Sequence, residues 1–413
     1  MFSIPCTEEN KQKLVRAIDQ SENYFCLLNS NQYSDPYSTL NWKISYGDRL
    51  LSRNIAEHSF EELRTFLSNS AKPIYGFLGY DLKNDVEKLS SKNTAHISFP
   101  ELFFFEELVA ISEENNELKS SSSLDFDWVE PRNPSTKSNS KIIQHVSKID
   151  YVKNVQRIQE HIIAGDVYEL NYCIPFEILD IQIDPVELYF LLNKRSPNPF
   201  SGLLKINHQY IISASPERFL CKRGSKIISQ PIKGTIKRTE NIEKDIEQLL
   251  HSEKERAENV MIVDLVRNDL TKTAITGSIK VEELFGIYSF PQLHQMISTV
   301  TSIQDEQYDV TEVIKNAFPM GSMTGAPKVR AMELIEQLEV FKRAAYSGAL
   351  GYIMPDGTFD FNVLIRSIFI DQQEKKLNFN VGSAITLDSN PEEEYEECLL
   401  KAKAIIETLD MRH

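Results

Sequence analysis

The sequence has few cysteines, few glycines and a deficit of basic residues, and each shortage excludes something. Its five cysteines are scattered and form no CxxC pair, so we expect neither a disulfide framework nor a structural zinc site. We expect a cytoplasmic location for the same reason. The 45 basic residues are outnumbered by 60 acidic ones, giving a net charge of −15. This balance argues against nucleic acid or an anionic membrane as a partner. No apolar run reaches the ~20 residues of a membrane span, and no signal peptide is visible.

The composition is otherwise that of a globular protein, with 41% hydrophobic and 25% charged residues among 413. This length fits two or three domains, or one large α/β unit. Residues 112–141 are dominated by Ser, Asn, Glu, Pro and Lys. We interpret them as a polar linker that ends an N-terminal region, 1–141, and precedes a larger C-terminal region, 142–413. A long loop within one domain fits the same pattern.

Short apolar segments follow one another in pairs, which favours antiparallel sheet over a doubly wound parallel fold. Apolar residues recur at helical spacing over 152–163, before Gly165, and helices are also predicted over 242–270 and 392–409. The expected fold class is therefore α+β. The segments predicted as strands are 24–31, 73–82, 172–179, 200–206, 210–215, 226–232, 347–354, 361–370 and 377–386.

Glycine is scarce, at 15 residues, so its clusters mark places where the backbone geometry matters. One cluster lies in FPMGSMTGAPK, which superficially resembles a phosphate-binding loop. Pro327 separates the glycine from Lys328, and Val329 follows where Ser or Thr is required, so the Walker pattern fails. A glycine-rich turn before a helix could still present backbone N–H groups to an anion.

Two pairs of glutamates are spaced three residues apart on predicted helices. Glu255 and Glu258 share one helix face, and Glu394 and Glu397 share another, with Lys401 one turn further on. Four carboxylates on two helices could hold a hard divalent cation such as Mg²⁺, which prefers oxygen ligands. Two solvated acidic helix faces would show the same spacing.

Three further side chains are candidates for chemistry. Lys233 follows an apolar strand, where it is either a surface charge or, if burial favours its neutral amine, a nucleophile. Glu217, in SASPERF, is either a general acid with a raised pKa or a salt-bridge partner of Arg218. Arg366 lies in an apolar segment and requires a carboxylate, from the protein or from a ligand.

The motifs AGDVYELN, SPERF, PIKGT, KERAENVMIVDLVRNDL, FPMGSMTGAPK, AYSGALGY, IRS and DSNPEEEYEECLLKA occur in this order. Together they resemble the chorismate-utilising enzymes over residues 150–410. That family contains anthranilate, aminodeoxychorismate, isochorismate and salicylate synthases. The resemblance implies a fold like that of anthranilate synthase component I, with largely antiparallel sheets packed as a sandwich and helices outside. It also implies an enzyme that binds chorismate.

The resemblance implies Mg²⁺ as the cofactor. Glu258 and Glu397 match the family's metal ligands, and Glu255 and Glu394 match carboxylates that act on the metal through water. A bound cation would explain how an acidic chain receives chorismate, a dicarboxylate, because it neutralises the ring carboxylate.

The resemblance also assigns substrate contacts. Arg366 and Tyr346 match residues that hold the enolpyruvyl carboxylate. Glu217 matches the acid that protonates the departing C4 hydroxyl, and His294 is the alternative catalytic acid because the family has a histidine there. Other positions that match substrate-binding residues are Gly234, Thr235, Gly382 and Lys401.

The branch of the family depends on Lys233. PIKGT resembles the branch that forms 4-amino-4-deoxychorismate for p-aminobenzoate and folate synthesis, in which the lysine attacks C2 before ammonia adds at C4. Branches that add water carry a lysine at the position of Glu169, and the amine-adding ones usually carry glutamine, so Glu169 is a departure. The alternatives are the anthranilate-forming branch and a catalytically silent chorismate-binding subunit.

The resemblance implies a partner as well. No cysteine nucleophile elbow is recognisable in the sequence, so a separate glutamine amidotransferase subunit is expected to supply ammonia. The segment CLLNSN, at 26–31, is only weakly similar to the family's tryptophan-binding motif. No feedback regulation is predicted from it.

Overall fold

The computed structural model describes residues 2–33, 35–120, 122, 141–290 and 293–410. Its strands are β1 Phe2–Pro5, β2 Tyr24–Asn29, β3 Trp42–Tyr46, β4 Leu50–Arg53, β5 Ile74–Leu78, β6 Leu102–Glu106, β7 Val109–Glu114, β8 Glu117–Ser120, β9 Ile143–Gln144, β10 Glu169–Ile178, β11 Phe200–Ile206, β12 Gln209–Ser215, β13 Arg218–Arg223, β14 Lys226–Gln230, β15 Ile232–Lys237, β16 Lys280–Ser289, β17 Leu293–Ile303, β18 Gly325–Ala326, β19 Ala349–Ile353, β20 Phe359–Asn362, β21 Ser367–Asp371 and β22 Lys376–Ile385. Its α-helices are α1 Glu8–Ser21, α2 Ser59–Ser68, α3 Lys83–Val86, α4 Lys148–Ile163, α5 Pro185–Arg195, α6 Ile242–Leu250, α7 Glu253–Thr271, α8 Val310–Ala317, α9 Lys328–Leu338 and α10 Pro391–Asp410. Short 3₁₀ turns occur at Tyr80–Leu82 and Gly321–Met323.

The strands form two sheets, and every pairing between strands of the described residues is antiparallel. The larger sheet has the order β1-β8-β7-β3-β2-β11-β12-β21-β22-β10-β18, with β9 also paired to β10. The smaller has the order β15-β17-β14-β13-β20-β19-β5-β6-β4, with β16 also paired to β17. The predicted α+β class with antiparallel sheets is confirmed.

The larger sheet separates two hydrophobic cores, because side chains alternate between the two faces of a strand. On β11, Leu204 belongs to the core shared with the smaller sheet, together with Phe77 and Phe103. The neighbouring Leu203 belongs to the other core, which is covered by α1, α4, α5, α9 and α10. The arrangement is a sandwich of two sheets with helices outside.

The two regions distinguished in the sequence contribute strands to both sheets. In the larger sheet β2 pairs with β11, and in the smaller one β5 pairs with β19. Residues 112–120 of the predicted linker are not a linker but belong to β7 and β8. Only alternate side chains of this hairpin are buried, Ile111 and Leu118 among them, so its composition is polar although it is part of a sheet. The rest of the predicted linker, 123–140, lies outside the described residues.

One predicted helix and one predicted strand are interrupted in the structure, and both interruptions lie next to the cavity described below. The helix predicted over 242–270 is two helices, and Ser252 begins the second by accepting a hydrogen bond from the Glu255 N–H at 3.4 Å. The strand predicted over 361–370 ends at Asn362 and resumes at Ser367. Arg366 therefore precedes a strand, with a φ of 53° in the left-handed region, where the sequence predicts it inside one.

No helix in the described ranges combines the length and the apolar character needed to cross a lipid bilayer.

We expect residues 142–413, expressed without the N-terminal region, to be insoluble or unfolded. Removing residues 1–141 deletes β2 and β5, so β11 and β19 become unpaired edges and part of both cores is exposed to water. Solubility and far-UV circular dichroism, measured beside the full chain, test this. A soluble fragment that melts in one cooperative transition would contradict it.

Candidate active site

A cavity of about 890 Å³, counting its open mouth, is bordered by β15, β22, α7 and α10. Twelve of the thirteen predicted site residues line it. They are Glu217, Lys233, Gly234, Thr235, Glu255, Glu258, Tyr346, Arg366, Gly382, Glu394, Glu397 and Lys401. The fold thus brings together motifs that are up to 184 positions apart in the sequence, from Glu217 to Lys401.

Lys233 projects into the cavity from β15 and forms a buried ion pair with Glu169, at the start of β10. Its Nζ lies 2.6 Å from Glu169 Oε1, and both side chains are buried. Burial alone would lower the pKa of Lys233, but the carboxylates of Glu169, Glu258 and Glu217 outweigh it and raise this pKa above its ordinary value. The ammonium form is therefore favoured here. Of the two alternatives for Lys233, a surface charge is excluded because the side chain is buried, and a nucleophile would first have to lose a proton.

Two glycines allow this pairing. Gly234, directly after Lys233, has a φ of 98°, and a Cβ there would lie 3.1 Å from Glu255 Oε2. Gly325, in the FPMGSMTGAPK loop, has a φ of 148°, and a Cβ there would lie 2.1 Å from the Glu169 carbonyl oxygen. The loop is therefore not a phosphate cradle but a close backbone contact that supports Glu169. Lys328 confirms this, since its buried ammonium binds Asp269.

Glu217 lies between β12 and β13, where its side chain is buried at the cavity wall. Burial raises its pKa to about 7, and nearby Ser322 and Lys233 offset only part of the rise. The alternative predicted from sequence, an ion pair with Arg218, is not formed, because Arg218 donates to Asp360 at 2.9 and 3.0 Å. Glu217 therefore carries a proton for part of the time at neutral pH.

The four glutamates of α7 and α10 face one another across the cavity, and Lys254 lies between them. Glu394 accepts from Ser389 at 2.8 Å and from Lys254 at 2.9 Å, and it also bonds Ser383. Burial raises the pKa of Glu258 to about 7. Glu258 Oε1 is buried without a hydrogen-bond partner in the described ranges, although the Lys254 ammonium is 4.0 Å away.

This donor set fits a hard cation. Carboxylate oxygens are what Mg²⁺ prefers, and a buried carboxylate oxygen without a partner is costly unless something positive reaches it. Glu258 and Glu397 could hold such an ion directly, while Glu394 is already fixed by hydroxyl groups. Lys254 now supplies the positive charge at this place.

The cavity also contains basic groups. Arg366 has no carboxylate partner among the residues that the structure describes, and burial lowers its pKa. Tyr346 lines the cavity beside it with its ring buried. Lys401 donates to the Gly382 carbonyl oxygen at 3.0 Å and pairs with Glu397 at 2.7 Å. A buried guanidinium without a counter-ion is a natural receptor for a ligand carboxylate.

His294, the predicted alternative acid, does not line the cavity. Its ring is fully buried on the other face of β17, where Nδ1 lies 2.8 Å from Ser289 Oγ and Nε2 lies 3.9 Å from Asp245. The next residue, Gln295, faces the cavity instead. Because side chains alternate along a strand, an error of one position moves a residue to the opposite face.

Sequence reasoning missed several polar residues of the lining. Lys254 is four residues before Glu258 on α7, a spacing that predicts an ion pair. The other missed residues lie in strands or loops with no distinctive pattern, and they include Asn171, Gln295, Ser322, Asn380 and Ser383.

Comparison with known proteins identifies the family and the fold. The model of the family described as chorismate binding enzyme matches residues 22–407. Aminodeoxychorismate synthase component 1 of Salmonella typhimurium is 33% identical over 81% of this chain and 76% of that protein. Anthranilate synthase component 1 of Thermus thermophilus is 31% identical over 82% of this chain and 77% of that protein. The crystal structure of anthranilate synthase component I from Streptococcus pneumoniae TIGR4 has a TM-score of 0.74 at 22% identity, covering 92% of this chain and 91% of that chain.

The chain therefore belongs to the family of chorismate binding enzymes. The predicted resemblance of its fold to anthranilate synthase component I is confirmed. The similarity to solved structures concerns the fold, and the identity to the two relatives differs by only two percentage points, 33% against 31%. The branch of the family is therefore decided by the residues of the cavity.

The Lys233–Glu169 pair makes a prediction about stability. Replacing Lys233 by Met leaves the Glu169 carboxylate buried and unpaired, so the free energy of unfolding should fall by about 3–5 kcal/mol. The double variant Glu169→Gln/Lys233→Met removes the orphaned charge and should recover most of that loss. Urea unfolding of the three proteins measures both effects. Equal loss in the single and double variants would show that the two groups are not coupled.

Proposed function

We propose that this chain is an aminodeoxychorismate synthase component 1, which converts chorismate and ammonia into 4-amino-4-deoxychorismate for p-aminobenzoate and folate synthesis. The observation that carries the proposal is the position of the Lys233 amine, which lies in the cavity beside Glu217 and the four glutamates of α7 and α10. An amine here can act as a nucleophile. The relatives with this name include proteins of Salmonella typhimurium and Bacillus subtilis.

Chorismate carries two carboxylates, and the cavity has a receptor for each. Arg366 and Tyr346 bind the enolpyruvyl carboxylate, since Arg366 has no carboxylate partner of its own in the described ranges. The ring carboxylate faces the glutamates of α7 and α10, with Gly382 and Lys401 beside it. Gly234 and Thr235 line the same wall as Lys233. The ring is thereby held with C2 towards Lys233 and C4 towards Glu217.

In the first step the Lys233 amine bonds to C2, both ring double bonds shift by one position, and the C4–oxygen bond breaks. Glu217 gives its proton to the departing hydroxyl, which leaves as water. In the second step ammonia bonds to C4, both ring double bonds shift back, and the bond between C2 and Lys233 breaks. The nitrogen added at C4 gives one proton to Glu217, which restores the acid. The net reaction converts chorismate and ammonia into 4-amino-4-deoxychorismate and water, and the pyruvate group stays attached to the product.

Glu169 has a role in this scheme that explains its departure from the usual glutamine. The amine of Lys233 is held as an ammonium, which is not a nucleophile, and must lose a proton before it attacks. Glu169 Oε1 lies 2.6 Å from Nζ, and Glu169 Oε2 is buried without a hydrogen-bond partner in the described residues. Glu169 is therefore the group that accepts the proton and returns it when Lys233 leaves C2.

Mg²⁺ is part of the proposal, with Glu258 and Glu397 as its direct ligands and Glu255 and Glu394 acting through water. When bound, the ion supplies a positive charge that neutralises the ring carboxylate of chorismate and polarises it as a Lewis acid. Of the charged groups that line the cavity in the described ranges, five are carboxylates and four are cations. An added cation therefore offsets the acidic excess that would otherwise repel a dianion.

Ammonia is supplied by a separate glutamine amidotransferase subunit in this proposal. The relatives named component 1 support it, because a numbered component implies another. A cytoplasmic location belongs to the same proposal, since all five cysteines are free thiols, as in proteins of reducing compartments.

The test compares the wild-type protein with Lys233→Ala, using chorismate, Mg²⁺ and ammonium salt, and identifies the product by mass. We expect 4-amino-4-deoxychorismate from the wild type and a large loss of rate in the variant, with chorismate affinity nearly unchanged. Without ammonia, intact-protein mass spectrometry should detect an adduct on Lys233 of the wild type, because the second step cannot follow.

Three controls accompany this experiment. Excess EDTA should abolish turnover, because the glutamates of α7 and α10 then lack their ion. Circular dichroism checks that Lys233→Ala is folded. If the unpaired Glu169 carboxylate unfolds this variant, the double variant Glu169→Gln/Lys233→Ala replaces it in the experiment. If the wild-type protein produces anthranilate, the proposed branch is wrong, and the chain has the activity for which the Thermus relative is named. No turnover at all would favour a silent chorismate-binding subunit.

Glu217 makes a prediction about pH. As a general acid it must carry its proton, and a pKa of about 7 means that the protonated fraction falls as the pH rises through 7. We expect kcat/KM to decline above about pH 7, measured at a constant concentration of free NH₃ so that the second substrate does not change. Glu217→Gln should lower kcat by roughly 10²–10⁴-fold and remove this limb of the profile. A loss below tenfold would point to another acid.

A further inference from the structure

A second group of ligand-bearing side chains lies away from the active-site cavity. His96, His145 and Glu177 place one nitrogen or oxygen atom each within 4.8 Å of one another. His145 Nε2 lies 3.0 Å from Glu177 Oε2, and His96 Nδ1 lies 3.5 Å from the same oxygen. The two imidazole rings have centroids 4.3 Å apart. None of the three residues lines the active-site cavity.

These separations match those of ligands around a tetrahedral ion. With Zn–N and Zn–O distances of about 2.0–2.1 Å, neighbouring ligand atoms of a tetrahedron are about 3.3–3.4 Å apart. The distances of 3.0 and 3.5 Å to Glu177 bracket that value. The third separation, between the two histidine nitrogens, is within 4.8 Å, so a shift of one imidazole ring would bring all three atoms into coordinating range.

Hydrogen bonding does not account for the cluster by itself. A single oxygen, Glu177 Oε2, faces both histidines. An ion placed between His96 Nδ1, His145 Nε2 and this oxygen would contact all three atoms at once.

The three ligands come from backbone segments that are held independently. Glu177 lies in β10, between β9 and β22. His145 follows β9, and its N–H donates to the Pro175 carbonyl oxygen at 3.2 Å. The loop of His96 is tied to the region after α9, since Thr94 accepts from the Lys342 N–H at 3.0 Å. The scaffold therefore places the ligands before any ion binds, which lowers the cost of binding.

We propose that His96, His145 and Glu177 bind one zinc ion that joins the N-terminal region to the start of the C-terminal region. Two imidazoles and a carboxylate suit zinc and similar transition ions and do not suit Mg²⁺, which prefers oxygen alone. The His145 side chain is 29% exposed, which gives the ion a path and leaves a fourth position for water. The sequence-based argument against a structural zinc site concerned cysteine ligands, and this site contains no cysteine.

The test uses the full chain, stripped of metal with a chelator and then kept in excess Mg²⁺ so that the active-site glutamates are occupied. Zinc chloride is titrated in competition with a chromophoric zinc chelator. We expect one zinc per chain in the wild type, and equally in Glu258→Gln. His96→Ala and His145→Ala should each bind zinc about 100-fold more weakly, or worse, since even groups that only support a ligand are worth 10–100-fold.

His161→Ala is the matched control, because His161 Nδ1 also contacts a carboxylate, Asp166 at 2.7 Å, but has no second histidine beside it. Its zinc affinity should equal that of the wild type. Zinc should also raise the melting temperature of the wild type and of His161→Ala, but not that of His145→Ala. Co²⁺ in place of zinc should give the visible absorption of a tetrahedral site, lost in His145→Ala.

If His96→Ala does not fold, the exposed His145 decides the question through His145→Ala and His145→Gln. The proposal is overturned if the wild type binds no zinc under these conditions. It is equally overturned if His145→Ala and the wild type bind the same amount with the same affinity.

Discussion

The neutralisation of charge inside one cavity is the constraint on which the site depends. Lys233 is balanced by Glu169, Lys401 by Glu397, and Lys254 by Glu394. Lys233 and Glu169 are both buried, and burying either one alone would cost several kcal/mol, so each requires the other. Lys254 and Glu397 are partly exposed, so their ion pairs contribute less. Arg366 is left without a carboxylate in the described ranges, and a ligand has to provide one. The affinity for a dicarboxylate thus follows from the balance of charges within the protein.

The double-sheet scaffold makes this arrangement rigid. β15 and β22 belong to different sheets, yet both border the cavity together with α7 and α10. Breaks in regular structure fall where the cavity requires them, at Ser252, which starts α7, and at Arg366, whose left-handed backbone precedes β21. A strained residue of this kind persists only because well-packed strands on either side hold it.

The pairing of Lys233 with Glu169 also explains how two chemically different tasks coexist within one cavity. The Glu169 carboxylate stabilises the protonated amine in the protein interior, and in the proposed mechanism the same carboxylate accepts that proton when chorismate binds. Glu217 faces the opposite requirement, because its burial outweighs the effect of nearby Lys233 and raises its pKa to about 7. Environment, and not residue type, divides the roles of base and acid between two glutamates.

By itself the sequence determined the α+β class, about half of the strands and helices, and twelve of the residues that line the cavity, because hydrophobic periodicity and long ordered motifs can be recognised without tertiary contacts. Tertiary structure decided the rest. Only strand pairing shows that β7 and β8 belong to a sheet, since an edge hairpin buries alternate residues and is otherwise polar. The face that His294 presents depends on a register of one residue. The charge of Lys233 depends on Glu169, which is 64 positions away in the sequence. His96, His145 and Glu177 also come from separate segments. Contacts between distant segments cannot be predicted from sequence spacing, because no local pattern accompanies them.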